Sequence, residues 1–216
     1  MIISPGRKFI FVHIPKTGGT SLALALEDRA MKDDILIGDT PKAQRRKGRL
    51  KHLNAPGRVW KHSTLADMAG VVDPAAYFVV TLVRNPWDRM VSYYHWLQAQ
   101  SFDNPAVTLA KTVEFSAFLN HPLTSASFAA HPFGSYVTDA AGVEHCQLFA
   151  RLEHLAQDLA PLWAHLGFSC NVGRENTSAR RRDWRAYYTD ADAAHLGRIC
   201  AEDVSRFGYR FDQSAP

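Results

Sequence analysis

The chain has 216 residues, of which 46% are hydrophobic and 21% charged, and we expect residues 1–216 to form a single domain. This composition excludes a disordered chain, a coiled coil and a collagen-like repeat. No apolar run approaches the roughly 18 to 20 residues that a membrane-spanning helix needs. The formal net charge of +4 is unevenly spread, which argues against a generally basic nucleic-acid-binding protein.

The cysteines indicate a reduced environment. Cys146, Cys170 and Cys200 are odd in number, far apart in sequence and without a CxxC pair. A disulfide framework and a structural zinc site are therefore not expected. We expect a cytoplasmic protein.

The elements of the first half form one strand-loop-helix unit followed by a polar stretch. Residues 8–14 (KFIFVHI) are β-branched and aromatic, which predicts a buried strand. Residues 15–19 contain Pro and two Gly and predict a loop, and a helix follows over 20–27. Residues 33–57 are polar and irregular, and a short helix is expected at 65–69.

The second half begins with the clearest strand. Residues 77–83 (YFVVTLV) are apolar nearly throughout, as in the centre of a parallel sheet, and Asn85-Pro86 then begins a helix. Residues 101–143 give no pattern, and helices are predicted over 152–166 and 190–206. The elements predict an α/β fold with a central, mainly parallel sheet flanked by helices. Ligands of such folds bind outside the carboxyl ends of the strands.

The loop after the first strand has the chemistry of a phosphate cradle. Glycines allow backbone N–H groups to approach an anion, and the helix N-terminus adds a favourable dipole. A lysine and three hydroxyl side chains would add donors; the segment consists of Lys16, Thr17, Gly18, Gly19, Thr20 and Ser21. It differs from the nucleoside-triphosphate loop GxxxxGK[ST], because the lysine precedes the glycines. An ordinary strand-to-helix turn is the alternative interpretation.

A second candidate anion site follows the central strand. Arg84 lies at the strand exit, and Ser92 follows eight residues later on the helix that begins at Pro86. An arginine fork and a serine hydroxyl suit a phosphate monoester. The alternative is that Arg84 pairs with Asp88 and that Ser92 is merely exposed.

Together these two segments resemble the sulfotransferases that use 3′-phosphoadenosine 5′-phosphosulfate (PAPS). The sequences IPKTGGTS and VRNPWDRMVSYY carry the resemblance. More specifically, the chain resembles the carbohydrate and glycan sulfotransferases (family 2), which implies a P-loop-NTPase-like, three-layer fold. A weaker resemblance continues through Arg151-Leu-Glu153 and the tail from Tyr187 to Tyr209.

The resemblance implies a role for each matched residue. The segment from Lys16 to Ser21 would bind the 5′-phosphosulfate, and Arg84 and Ser92 would bind the 3′-phosphate. A C-terminal loop closes over the nucleotide in these relatives; the candidate here is 176–182, which includes Arg180. The product nucleotide would be 3′-phosphoadenosine 5′-phosphate (PAP), and no metal would be required.

The general base is predicted to be a histidine, which suits proton transfer near neutral pH. The first choice is His62, because some glycan sulfotransferases resemble this chain in having a catalytic histidine at nearly this distance before the arginine. His52 is the second choice, His13 is expected to be a core histidine, and His95 is an alternative ligand contact. Two glutamates are weaker candidates: Glu144 and Glu153.

Positive charge near the proposed base suits an acidic glycan or lipopolysaccharide-like acceptor, and a neutral sugar would not contradict it. Residues 41–62 contain eight basic residues and no acid, and a second cluster spans 180–185. A solvated loop is the alternative for each cluster. We expect a carbohydrate or glycan-type acceptor, with no nucleic-acid partner and no membrane span. Three other functions compete with this one: that of a kinase-like P-loop protein, that of a non-catalytic PAPS-binding module, and RNA binding through residues 41–62, which we call the basic window.

Overall fold

The computed structural model describes residues 1–173, 180–181 and 183–212. The contacts between residues divide the chain into two compact units. The first comprises Met1–Val83 and Phe133–Asn176, and the second comprises Arg84–Pro132 and Thr177–Pro216.

The first unit contains a five-stranded sheet within the described residues. In chain order the strands are β1 (Ile2–Ser4), β2 (Phe9–Val12), β3 (Ile35–Leu36), β4 (Phe78–Val83) and β5 (Leu148–Arg151). Their spatial order is β3-β1-β2-β4-β5. The pairs β2–β4 and β4–β5 are parallel, whereas β1 pairs antiparallel with both β2 and β3. The centre of the sheet is therefore parallel, as predicted, and one side is an antiparallel extension that the sequence did not reveal.

The helices of the structure confirm some of the helix boundaries predicted from the sequence and correct others. In chain order they are α1 (Gly19–Asp28), α2 (Pro41–Arg46), α3 (Pro86–Gln98), α4 (Pro105–Thr112), α5 (Phe115–Asn120), α6 (Pro122–Ala130), α7 (Leu155–Asp158), α8 (Ala160–Leu166), α9 (Asp190–Ile199) and α10 (Ala201–Phe207). The stretch 33–57, expected to be irregular, contains β3, α2 and a 3₁₀ segment, Lys47–His52. The stretch 101–143 contains α4, α5 and α6.

Two predicted helices are broken in the structure. The helix expected over 152–166 is a 3₁₀ turn followed by α7 and α8, and it ends at Gly167, whose φ of 73° is left-handed. The helix expected over 190–206 divides at Cys200 into α9 and α10. Its start is as predicted, because Thr189 and Asp192 form a reciprocal capping box.

The core of the first unit fixes the strands that precede the candidate site. Apolar side chains of the central strands pack with those of α1 and α8, and this buried cluster includes Phe11, Leu22, Leu26, Val80, Leu82, Ala150 and Leu162. Burial of each large side chain contributes about 1.5–3 kcal/mol. The carboxyl ends of β2 and β4 therefore emerge from a packed sheet, which gives the loops after them rigid starting points.

The second unit is helical within its described residues. Asn85 caps α3 by accepting a hydrogen bond from the Trp87 N–H, and Pro86 occupies the first helical position, as predicted. The Trp87 indole N–H donates to the Ala193 carbonyl on α9. This bond ties the first turn of α3 to α9. In the described part of the chain, no helix has the length and apolar character to cross a membrane.

Candidate functional site

The loop after β2 is held in a tight turn. Lys16 has a left-handed φ of 67°, which is uncommon for a residue with a side chain. Thr17 is fully buried, and its hydroxyl donates to the Ile14 carbonyl at 2.9 Å. This bond corrects one expectation, because the Thr17 hydroxyl proton holds the turn together. Thr17 remains a candidate ligand through its backbone N–H.

The two glycines of the loop are required for different reasons. Gly18 has a φ of 85°, and a Cβ there would lie 2.7 Å from Cδ1 of Leu152. A Cβ on Gly19 would overlap the imidazole ring of His13. The left-handed backbone therefore favours glycine at position 18, and the lack of room beside the His13 ring favours it at position 19.

The first turn of α1 has the properties of a candidate anion site. Gly18 is its N-cap and supplies no side-chain hydrogen bond, and no acidic residue lies in the first turn. The positive end of the helix dipole is therefore not neutralised by a neighbouring carboxylate of this turn. Thr20 is half-buried and Ser21 is buried on the same turn. With the Lys16 ammonium, this arrangement suits a phosphate or sulfate group.

His62 is fixed in one tautomer by the end of β2. Its Nδ1 lies 2.7 Å from the carbonyl oxygen of His13. A carbonyl oxygen only accepts, so Nδ1 carries the proton and Nε2 of the neutral ring keeps its lone pair. Burial, with a smaller effect of the Lys61 ammonium, lowers the pKa of His62 to about 4. The ring is neutral at pH 7 and has a nitrogen available to accept a proton.

A series of ring contacts leads from the glycine loop to the surface. The His13 ring lies against Gly19, and the His62 ring meets it edge-on with centroids 4.7 Å apart. Trp60 meets His62 edge-on at 4.9 Å, and the Arg58 guanidinium lies 4.3 Å from the Trp60 ring centroid. Trp60 is 37% exposed. The contacts thus connect the candidate anion loop with a solvent-facing aromatic–cation pair.

The segment that carries this series is fixed by Ser63. Its buried hydroxyl donates to the carbonyls of Arg58 and Trp60, at 2.7 and 2.8 Å, and accepts from the Trp60 N–H. The short helix predicted at 65–69 is a 3₁₀ turn, Ala66–Met68, whose start is braced by Thr64 and Asp67. The sequence did not reveal this support or the contacts of Trp60.

The other base candidates occupy different surroundings. His13 is buried, and its pKa is lowered well below the usual value by burial and then by His62. His52 is exposed at the end of its 3₁₀ segment, and Glu144 is exposed. Glu153 is half-buried directly after Leu152, whose side chain lies beside Gly18. Among the histidine candidates, His13 and His62 are therefore the two that the structure brings to the loop.

In the second unit, a carboxylate joins two of the arginines that were predicted to bind the nucleotide. Arg84 donates from Nε and Nη2 to Asp88 Oδ2, at 2.8 and 2.7 Å. Arg180 donates from Nη2 to Asp88 Oδ1 at 2.5 Å. The pairing of Arg84 with Asp88, which sequence analysis treated as an alternative to phosphate binding, is present. It brings Arg180 into the same cluster, a link that the sequence did not show.

Further along α3, two polar residues share the face of Asp88. Ser92, one turn on, is buried, so the expectation of a merely exposed serine is wrong. His95 Nε2 is buried and has no hydrogen-bond partner among the described residues. Burial and then the nearby Arg180 lower the pKa of His95. The face carries an arginine pair, a hydroxyl and an imidazole, which together suit an anion.

Several basic side chains of the basic window are held by hydrogen bonds or ion pairs within the protein, which the sequence did not indicate. Several of its cations hold the local fold: Lys42 donates to the Glu27 carbonyl, Arg46 to the Met31 carbonyl and Arg49 to the Lys32 carbonyl, and Lys61 pairs with Asp39. Its exposed basic residues include Arg45, Lys47, Lys51 and Arg58. Most of the candidate closing loop, 176–179 and 182, lies outside the described residues.

The α/β fold thus carries a glycine loop with no side-chain cap at its helix N-terminus, and an arginine directly after β4 that shares Asp88 with Arg180. A family model described as "Sulfotransferase family" matches residues 1–210, and the chain therefore belongs to the sulfotransferase family. This membership confirms the resemblance seen in the sequence and makes the chain a PAPS-dependent sulfotransferase.

A solved structure shares the fold. Mouse sulfotransferase SULT7A1, complexed with PAP, matches with a TM-score of 0.51 and 19% identity, over 91% of this chain and 83% of that one. The likeness supports the predicted P-loop-like architecture. No curated protein sequence matches the chain.

The tautomer and the pKa of His62 predict a distinct spectrum. In ¹⁵N-histidine NMR, we expect His62 to be the neutral Nδ1–H form at pH 7 and to titrate near pH 4, because burial disfavours its charged form. Between pH 6.5 and 4 the histidine is protonated in the unfolded chain but not in the folded one. The contribution of His62 to the free energy of unfolding therefore falls as the pH falls. His62→Asn assigns the signal. A neutral Nε2–H form, or a titration near 6.5, would contradict the geometry.

Proposed function

We propose that the chain transfers the sulfuryl group of PAPS to a hydroxyl of a carbohydrate acceptor, with His62 as the general base. The observation that carries the proposal is the oriented, neutral His62 ring, connected through His13 to the glycine loop. We further propose that residues 1–216 act as one sulfotransferase domain, because the family match spans 1–210.

The proposal assigns each anionic group of the donor to its own set of residues. The loop N–H groups, Lys16 and the hydroxyls of Thr20 and Ser21 bind the 5′-phosphosulfate. The 3′-phosphate is bound by Arg84, Ser92 and Arg180. The PAP bound to the structurally similar mouse sulfotransferase supports a nucleotide of this kind. Binding by this set of groups requires no metal ion.

The environment of His62 suits a base that acts only when the donor is bound. A pKa of about 4 is low for efficient proton abstraction at pH 7. The negative charge of a phosphosulfate on the neighbouring loop would favour the imidazolium and raise this pKa toward neutrality. Donor binding would therefore both supply the electrophile and strengthen the base.

The transfer itself depends on position and electrostatics. The acceptor oxygen attacks sulfur in line with the bridging oxygen of the phosphosulfate, the S–O bond to that oxygen breaks, and His62 Nε2 takes the hydroxyl proton. Lys16 and the loop N–H groups stabilise the charge that develops on the PAP phosphate. A positioned base typically contributes about 10²–10⁴-fold. One preorganised donor contributes about 3–4 kcal/mol.

The exposed pair beside the base supports an acidic sugar acceptor. The Trp60 indole gives an apolar surface for a pyranose ring, and Arg58 adds a guanidinium that pairs with carboxylate or sulfate oxygens. Both precede His62 on the segment fixed by Ser63. An acceptor held there would present its hydroxyl to His62.

Transfer of radiolabelled sulfate from PAPS to a panel of acidic and neutral oligosaccharides tests the function. We expect transfer by the wild type and a loss of at least about 100-fold in kcat for His62→Asn, because the proton acceptor is removed. PAP affinity should be retained. His52→Asn, at an exposed histidine, is the matched control. Normal turnover by His62→Asn would show that another group, with Glu153 the first to examine, is the base.

Replacement of Arg58 by Gln tests the acceptor class. The acceptor KM should rise about tenfold for acidic oligosaccharides and little for neutral ones, because only the former lose an ion pair. Arg45→Gln, at another exposed arginine of the basic window, should leave both KM values unchanged. Equal effects of Arg58→Gln on acidic and neutral acceptors would contradict an acidic-sugar site at Arg58.

A further inference from the structure

Asp88 occupies the centre of the arginine cluster in the second unit. It lies in the first turn of α3 and is buried. Each of its carboxylate oxygens serves a different arginine: Oδ2 accepts two hydrogen bonds from Arg84, and Oδ1 accepts one from Arg180. The two guanidinium groups, which would otherwise repel each other, are therefore held on opposite oxygens of one carboxylate.

This arrangement provides acceptors for only some of the hydrogen-bond donors of the Arg180 guanidinium. Its Nη2 donates to Asp88, whereas its Nη1 is buried and has no hydrogen-bond partner within the described ranges. A buried donor without an acceptor is costly, and more so when the group is charged. This unpartnered donor indicates that an acceptor is missing beside Arg180.

We infer that Asp88 is a positioning residue that holds Arg84 and Arg180 for the 3′-phosphate and thereby sets the selectivity for 3′-phosphorylated adenosine nucleotides. The inference rests on the proposed function, since it assigns the missing anion to the donor. Asp88 binds one edge of Arg84 and one nitrogen of Arg180. The Nη1 group of Arg180 then remains to donate to the phosphate.

The carboxylate cannot be replaced by its amide in this role. In Asp88→Asn one oxygen remains to accept, and the Nδ2 group is itself a donor that would face the other arginine. The charge that holds the two cations together is also lost. We therefore expect the arginines to separate, which weakens binding of a 3′-phosphate but not of a nucleotide that lacks one.

The test is calorimetry with PAP and with adenosine 5′-monophosphate (AMP), which lacks the 3′-phosphate. The wild type should prefer PAP, and Asp88→Asn should reduce the PAP-to-AMP preference about tenfold with AMP affinity unchanged. Asp183→Asn, which breaks an exposed aspartate–arginine pair with Arg185, is the matched control. In an Arg180→Gln background, Asp88→Asn should have a smaller effect, because one of its two targets is absent.

A second variant keeps the test decisive if Asp88→Asn does not fold. Arg180→Lys retains the charge, but an ammonium lacks the planar fork that serves Asp88 and a phosphate together, so the preference should fall similarly. A PAP-to-AMP preference that stays equal or rises in Asp88→Asn, or stays equal in Arg180→Lys, would overturn the role of Asp88. A wild type that binds PAP no better than AMP would instead contradict the proposed function.

Discussion

The close approach of the His13 ring to Gly19 is the constraint on which the first unit's candidate site depends. A Cβ on Gly19 would overlap the His13 ring, so the residue that follows β2 and the first turn of α1 are in direct contact. The carbonyl of the same His13 accepts from His62 Nδ1 and fixes its tautomer. One residue at the end of β2 therefore sets both the shape of the anion loop and the orientation of the proposed base.

The two units offer candidate anion sites of different physical kinds. The first relies on backbone N–H groups and a helix dipole, which are fixed by the fold and change little when a ligand arrives. The second relies on long arginine side chains. Their flexibility must be restrained before they can distinguish a nucleotide with a 3′-phosphate from one without it. Asp88 supplies that restraint in the inferred scheme, so selectivity for a 3′-phosphate would depend on a residue of the same charge as the ligand.

The sequence predicted the features that depend on local pattern. The strand at 77–83, the Asn85-Pro86 helix start and the Thr189–Asp192 capping box are confirmed, because apolar runs and capping residues act over a few positions. The strands β1, β3 and β5 were missed, since their short length gives no periodicity and their pairing is set by tertiary contacts. The Thr17 hydroxyl, the Arg58–Trp60–His62 series and the Asp88 cluster likewise depend on side-chain positions that spacing does not encode.

We propose that the nucleotide sites select PAPS and its product. Calorimetry of the wild-type chain with PAP, ADP and ATP, without magnesium, measures this selectivity. We expect micromolar binding of PAP and binding of ADP and ATP at least about tenfold weaker, because neither has a 3′-phosphate for the arginine pair. Preference for ATP, or no binding of PAP, would contradict it.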